Sequence, residues 1–409
     1  MRKYYVSVLL VLSVFICGGT VQAEKITMDQ AVERALRLNP ALGIQSFAIE
    51  QARAELQTRS LLPNPSLNYD REELDLNGID GGEWIIAAEM PLNFLWRRGP
   101  RIGEAEALLE AENFGLDNKR ELVRFQTRRL YLAAHYVSLE LEARQKSTDL
   151  LLDIKRKSQL LKAEGDISGY DQRRIAFEVL RAERDFVAAE NELTRHESNL
   201  SLLVYRDNLE MKVETEDSFA GKLPGLIVDK LVSAALERRG DLQRARARIA
   251  ASGAAVQAAR RAALPGVNLG LGYKRQIDGF EGPVGRLSVE LPLFNRNQGT
   301  VAGNQARLDA AKLTVTTLER QIEAEIMVAC QSYNRLRTQL AEYRQTIPEN
   351  SEAMVETAKF SYMEGEISLI ELIDAVRTYT EDATLRYGLL RDTYLGLYRL
   401  EYLTGGELQ

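Results

Sequence analysis

Apolar residues along this chain recur at two periods, and the changes of period outline its parts. Ile175, Val179, Ala182, Phe186, Ala189, Leu193, His196, Leu200 and Leu203 alternate spacings of four and three, the heptad rhythm of coiled-coil packing. Leu369, Ile373, Val376, Thr380, Ala383, Tyr387, Leu390, Tyr394 and Leu397 repeat it. Alanine and polar residues within both seams suit many helices lying side by side. Four other stretches alternate with period two. The clearest sets Val267, Leu269, Leu271 and Tyr273 against Asn268, Gly270, Gly272 and Lys274, and its partner sets Leu287, Val289, Leu291 and Leu293 against Arg286, Ser288, Glu290 and Pro292. In the first half Trp84, Ile86, Ala88, Met90 and Leu92 share a face, while Leu67 and Tyr69 open a weaker strand that turns acidic from Asp70 to Glu73. Asn77-Gly78 to Gly81-Gly82 and Asp278-Gly279 to Gly282-Pro283 mark the connecting loops. Two β-hairpins are predicted, and no further strands.

The two periods occur in the same order twice. Gly165-Asp166-Ile167-Ser168 with Asp171 matches Gly365-Glu366-Ile367-Ser368 with Glu371, and Met90-Pro91-Leu92 matches Leu291-Pro292-Leu293. Asp29 opens an amphipathic helix ending near Leu62-Pro63, and Asp229 opens another ending at Leu264-Pro265. A constant offset near 200 residues means duplication. The predicted units are a leader over 1–23, a first repeat over 24–214 and a second over 215–409. The first repeat has a hairpin over 66–93, a long helix over 98–164 and a returning helix over 168–205; the second has them over 266–294, 298–364 and 368–404. Each tip turn has a glycine suited to positive φ, then a serine N-cap with an acid three residues on, the pattern of a capping box. Pro100 is expected in the first turn of its helix, and Pro348 is expected to kink the second long helix. A helix from Pro100 to Glu164 would run about 100 Å. The stretch from Val204 to Leu226 is read as a belt joining the halves.

Arg2, Lys3, the apolar run Val6–Ile16 and Val21-Gln22-Ala23 read as a secretory leader cleaved before Glu24. Cys17 lies within it and invites a lipid-anchor reading, although Val14-Phe15-Ile16 lack the small residues such a site normally has. Cys330 is then the only other cysteine, so no internal disulfide is expected, and it reads as an apolar filler on a helix face. The net charge of −6 is spread without a basic block, which argues against nucleic acid as a partner. No segment beyond the leader approaches the ~20 apolar residues of a membrane helix, so any bilayer contact must be made by β-structure. A membrane tolerates β-structure only as a closed barrel, and four strands cannot enclose a lumen. Several copies would therefore share one barrel, continued on one side by coiled coils. The alternative is a periplasmic coiled-coil scaffold whose strands form ordinary two-stranded ribbons.

The paired G-x-I-S-x-x-[DE] tips, the two hairpins and the two halves resemble the TolC family of outer-membrane efflux proteins over essentially the whole mature chain. Pro292-Leu293-Phe294-Asn295-Arg296-Asn297-Gln298-Gly299 is similar to the P-L-F-x-R-N-Q-G stretch of its heavy-metal, CzcC-like branch. Read locally, that stretch is an Asn-rich connector from strand to helix, with Trp96-Arg97-Arg98-Gly99-Pro100 as its first-half counterpart. The resemblance implies a mainly α fold with a small β part: a homotrimer whose outer-membrane β-barrel takes four strands per chain and continues as a periplasmic α-helical tunnel. It also implies an exit duct for an inner-membrane pump, of the resistance-nodulation-division type for metal cargo, and for a periplasmic adaptor of the membrane fusion protein class. A multidrug or type I protein-secretion role shares every feature except the P-L-F-x-R-N-Q-G stretch. No catalytic residue, cofactor or metal site is expected, since His135 and His196 are isolated. By the resemblance, Glu371 and Asp374 line the periplasmic aperture, where like charge would raise carboxylate pKa values. Asp171, Arg173 and Arg174 follow the first tip and are read from that position as candidates to pair with neighbouring helices and hold the aperture closed. Gly165, Ile167, Ser168, Gly365, Ile367 and Ser368 match adaptor-facing positions; an exposed apolar isoleucine at a tip has no other evident use. Glu371 and Asp171 also read as plain caps, and the arginines as solvated surface charges.

Overall fold

A computed structural model describes residues 23–76, 79–164, 167–205, 212–216, 219, 223–347 and 351–408. The leader up to Gln22, Gly165 of the first tip and Pro348 lie outside the described residues. β1 (Ala23–Ile26) is followed by α1 (Met28–Leu38) and α2 (Pro40–Ser60), then the hairpin strands β2 (Ser66–Leu76) and β3 (Ile79–Pro91). α3 (Phe94–Glu164), α4 (Gly169–Val204) and β4 (Lys212–Thr215) complete the first repeat. The second has α5 (Val228–Arg238), α6 (Gly240–Ala262), β5 (Gly266–Arg275), β6 (Glu281–Glu290), α7 (Gln298–Thr346), α8 (Ser351–Met363) and α9 (Leu369–Thr404).

Several expectations change. The helix that opens each repeat is two helices, broken at Asn39 and again at Arg239, where the backbone is extended (φ −66°, ψ 120° and φ −63°, ψ 118°). Pro40 forces the first break, because the residue before proline is driven out of the α region, and Asn39 caps α2 by accepting from the Ala41 N–H at 2.9 Å. At the second break Gly240 lies so close to α3 that an added Cβ would sit 2.8 Å from both the Asn118 nitrogen and the Phe114 carbonyl oxygen. Pro100 is the seventh residue of α3, not a first-turn residue. The helix starts early because Arg97 donates to the Ala262 and Leu264 carbonyls and Arg98 to that of Ser60, so this first segment closes the C-terminal ends of α6 and α2. The second long helix is interrupted as expected: α7 ends at Thr346 and Ile347 is extended (φ −108°, ψ 119°), the conformation a following proline favours. Asn297, in the connector, takes a left-handed conformation (φ 58°).

A second, parallel two-stranded sheet, β1 with β4, was not expected at all. It pairs Ala23 with Lys212 through Ile26 with Thr215, and four residues are too few to display a period. The buried Tyr131 of α3 fastens both strands: its hydroxyl donates to the Ile26 carbonyl at 2.8 Å and accepts from the Glu216 N–H at 3.1 Å. Ile26, Val213, Leu132, Tyr136, Leu200 and Tyr394 pack around it, so the described part of the belt is built into a core.

Glu24 closes this clasp from outside. Arg34 donates to both of its oxygens, at 2.7 and 2.9 Å, and Tyr205 donates to the same carboxylate. The Arg34 bonds first, then the Tyr205 hydroxyl, hold its pKa at about 2 against an ordinary 4.5. A depressed carboxylate pKa stabilises the fold above the unfolded value and ceases to do so as pH falls through the folded one. Amides of β1 and β4 are therefore expected to lose hydrogen-exchange protection as pH drops from about 4.5 towards 2. Glu24→Gln should remove that dependence, and a variant with the same acid profile as wild type would refute the assignment.

The helices lie side by side as a layer. Towards the sheet the order is α2, α3, α6, α7; towards the tips it is α4, α3, α9, then α7 and α8. Glu112 of α3 ties the upper part together, accepting from Gln45 of α2 at 2.8 Å and from Arg244 of α6 at 2.8 and 2.9 Å. Both seams read from the sequence face the interior, with Ile175, Val179, Ala189 and Leu200 buried on α4 and Ile373, Val376, Ala383 and Tyr394 buried on α9.

Candidate functional site

The two hairpins do not stand apart as ribbons. β3 pairs antiparallel with β5 from Trp84–Arg275 to Pro91–Asn268, giving one four-stranded sheet in the order β2-β3-β5-β6. Because side chains alternate across a strand, this register gathers Leu67, Tyr69, Ile86, Met90, Leu269, Leu271, Tyr273, Leu287 and Val289 on one face. Most are exposed, Leu67 at 72%, Leu287 at 67% and Leu271 at 65%. The opposite face carries Asp70, Glu72, Glu83, Glu89, Lys274, Arg286 and Glu290. Lys274 meets Glu83 at 2.8 Å, and Arg286 meets Glu89 at 3.1 Å. That second pair spans β5 at Gly270, which has no side chain to obstruct it. Gly272 is tighter still: a Cβ there would lie 2.4 Å from the Ile86 carbonyl oxygen. Charge enters the apolar face only towards the hairpin loops, where Arg71 pairs with Glu73 and Arg275 with Glu281. A sheet whose body is apolar on one face and ion-paired on the other, and which is unpaired along β2 and β6, suits lipid outside and water inside, with further strands to close it.

The helical layer is open in the same sense. Phe177 (71% exposed) and Leu180 (63%) project from α4 at one margin, and Phe360 and Met363 from α8 at the other. Between α4 and α9, above α3, runs a cleft of about 480 Å³ lined by Arg144, Glu178, Arg181, Asp185, Arg377 and Glu381. Arg377 of α9 donates to Glu178 of α4 at 3.0 Å. Sequence reading missed this pair because its members lie 199 positions apart on helices whose adjacency only the packing reveals.

The tips are built largely as read. Gly365 has φ +76°, and the bonds from its N–H to the Tyr362 carbonyl and from Glu366 to the Ser361 carbonyl make a Schellman ending. Ser368 and Glu371 then form a complete capping box. At the first tip only half a box forms. Ser168 accepts from the Asp171 N–H at 3.1 Å, but the Asp171 carboxylate receives the Ser168 hydroxyl at 2.6 Å instead of reaching the backbone. Aspartate is one methylene shorter than the glutamate at 371. Ile167 is half-buried, and Ile367 packs against a core that includes Leu372 and Ile373, the contact of a hydrophobic staple. The tip isoleucine therefore has a folding role beside any docking role.

Glu371 and Asp374 are both exposed. Within one chain the Glu371 carboxyl is pulled below the ordinary value by the Ser368 backbone N–H, opposite to the shift expected from a ring of like charges. Asp171 is half-buried and engaged in its cap. Among the described residues Arg173 and Arg174 make no ion pair within the chain, and it is Arg377 that links the two returning helices. His135 is a core residue, its Nδ1 3.1 Å from the Thr215 hydroxyl and its ring 5.1 Å from those of Tyr136 and Phe219. His196 is half-buried on its seam, 3.5 Å from Glu192. Cys330 is buried and free, as expected of a filler. Among the described residues no group of three or more histidine, cysteine or acidic side chains is placed to hold a metal ion, and no helix is long and apolar enough to cross a membrane.

Comparison with known proteins matches this geometry. The chain is 21% identical over 385 residues to the cobalt-zinc-cadmium resistance protein CzcC of Cupriavidus metallidurans, spanning 94% of this chain and 91% of that protein. It superposes on the CmeC outer membrane channel of Campylobacter jejuni with a TM-score of 0.80 at 18% identity, covering 93% of this chain and 86% of that one. CusC, solved in a study of its folding and transmembrane channel formation, gives a TM-score of 0.76 at 18% identity, covering 93% and 92%. The family described as outer membrane efflux protein matches residues 231–395. Those residues are similar to the outer membrane efflux protein family, within a chain that shares the fold of the solved outer membrane channels along nearly its whole length.

Proposed function

We propose that three copies of this chain close into an outer-membrane exit duct, with twelve strands forming the barrel and the helical layers forming a periplasmic tunnel. The observation that carries this reading is the sheet with two unpaired edges and one apolar face, continuous with a helical layer open at both margins. A scaffold with two separate ribbons has no use for the β3–β5 pairing or for that exposed apolar face. Membrane fractionation tests it: the protein should resist extraction by salt and alkali, and release by either would refute the reading.

The duct would receive cargo from an inner-membrane pump of the resistance-nodulation-division type through a periplasmic adaptor seated on the tips. Heavy-metal cations are the favoured cargo. Likeness to a cobalt-zinc-cadmium resistance protein supports this, as does the polar sheet face, where Asp70, Glu72, Glu83, Glu89 and Glu290 outnumber Lys274 and Arg286. Deleting the gene should sensitise its host to cobalt, zinc or cadmium. Sensitivity to organic drugs alone, or loss of a secreted protein, would assign the duct to a multidrug or type I secretion system instead.

At the aperture, the double variant Glu371→Ala, Asp374→Ala is expected to lower cation-over-anion selectivity several-fold in planar bilayers, since three copies would bring six carboxylates together. Unchanged selectivity removes these residues from the pore. Cysteines at positions 167 and 367 should crosslink to the cognate adaptor; no crosslink from a properly assembled trimer would exclude docking at the tips.

A further inference from the structure

We infer that the mature chain begins at Glu24 with a free α-amino group held in the belt, and that Cys17 is discarded with the leader and carries no lipid. The inference rests on reading the sheet as the membrane end, and it follows from reach. The Tyr131 hydroxyl bonds the Ile26 carbonyl, so β1 stands at the height of Tyr131 on α3. α3 begins at Phe94, at the foot of the sheet, where the Leu92 N–H bonds the Val267 carbonyl. The intervening 37 residues of continuous helix place β1 about 55 Å from the membrane surface. From Cys17 to Ala23 a fully extended chain covers only about 20 Å.

Closing the remaining gap of about 35 Å would take roughly ten more extended residues. Those residues are β1, the Thr27 cap and the first half of α1, whose Met28, Ala31 and Val32 are buried in the belt core. The Glu24 clasp to Arg34 and Tyr205 would open with them. The opposite direction fails as well, because Tyr131 stands about 50 Å from the tip end of α3 at Glu164. A lipid on Cys17 could reach a membrane at neither end without dismantling the belt. Val14-Phe15-Ile16, too bulky for a lipid-modification site, agree from the sequence side.

Removal of the leader is a hydrolysis by the secretory leader peptidase. Water adds across the Ala23–Glu24 peptide bond, Ala23 leaves with a carboxylate and Glu24 keeps an ammonium group. The β1–β4 ladder loses its Ala23–Lys212 rung and keeps Glu24–Val213, Lys25–Glu214 and Ile26–Thr215. The full-length chain and Cys17→Ser should be expressed in a bacterium with an outer membrane, labelled with palmitate, and their membrane-extracted proteins weighed intact. The expected mass is that of residues 24–409 for both, with no more label in the wild type than in Cys17→Ser. Outer-membrane protein that begins at Cys17 with acyl groups, or label several-fold above Cys17→Ser, overturns the inference alone. Recovery of the protein from the soluble periplasm would overturn the membrane reading, and the reach argument with it.

Discussion

Gly240→Ala is expected to cost the chain about 3 kcal/mol of folding stability, at the upper end for overpacking. Gly240 is the first residue of α6, and its Cα faces the backbone of α3. A Cβ there would meet the Asn118 nitrogen and the Phe114 carbonyl oxygen, both at 2.8 Å. Backbone inside a continuous helix cannot turn aside as the end of a side chain can. The neighbouring Arg239 leaves little room for α6 to slide, since its buried guanidinium is paired with Asp241 and with Glu325 of α7, each at 2.9 Å. Gly253→Ala on the same helix is the control. Nothing lies within 4 Å of its Cβ position, so it should raise stability by about 0.5 to 1 kcal/mol through helix propensity alone. Denaturant midpoints of the two variants should move in opposite directions, and a shared direction would show that α6 is not held at its start by this contact.

The double variant Phe177→Asp, Leu180→Asp is expected to leave a helical chain that no longer assembles. Both side chains stand exposed on the margin of α4, and the opposite margin presents Phe360 and Met363 of α8. Closure of a ring would bury one margin against the other. Burying a large apolar side chain contributes about 2 kcal/mol, so two residues at three junctions supply roughly 10 kcal/mol of assembly energy. The aspartates remove that and add a charge to be desolvated at each position. Helical content by circular dichroism should stay near wild type, because neither residue packs inside the chain, while light scattering of the detergent-extracted protein should report one copy in place of three. A persisting trimer would mean that α4 faces solvent or lumen and that the copies meet elsewhere.

Much of this architecture was legible because it is carried by long-range periodicity. The heptad seams, the alternating strands and the near-constant offset between repeats survive any local accident, and the hairpin strands and returning helices follow in the order they indicate. What escaped notice is local or tertiary. The break at Asn39 had a signal, an Asn-Pro pair suited to capping, but the apolar period runs through it; the break at Arg239 is imposed by contact with α3 and has no sequence signature of its own. β1 and β4 are too short to show alternation and exist because Tyr131 and the belt core hold them. The early start of α3 depends on arginines reaching the ends of two other helices. At the second tip the cap was readable down to Gly365, whereas the half-formed box at Ser168 turns on a single methylene. The Arg377–Glu178 pair required knowing that α4 and α9 flank the same cleft.

Both margins of the helical layer and both edges of the sheet are left open in a single chain, and this has a consequence for supply. When three copies are needed to close the ring and the single chain is poorly stable, the amount of finished duct at low concentration follows the cube of the chain concentration. Halving synthesis would then cut assembled ducts about eight-fold. A cell carrying this gene could therefore switch its export capacity sharply with a modest change in expression, without any allosteric device in the protein itself.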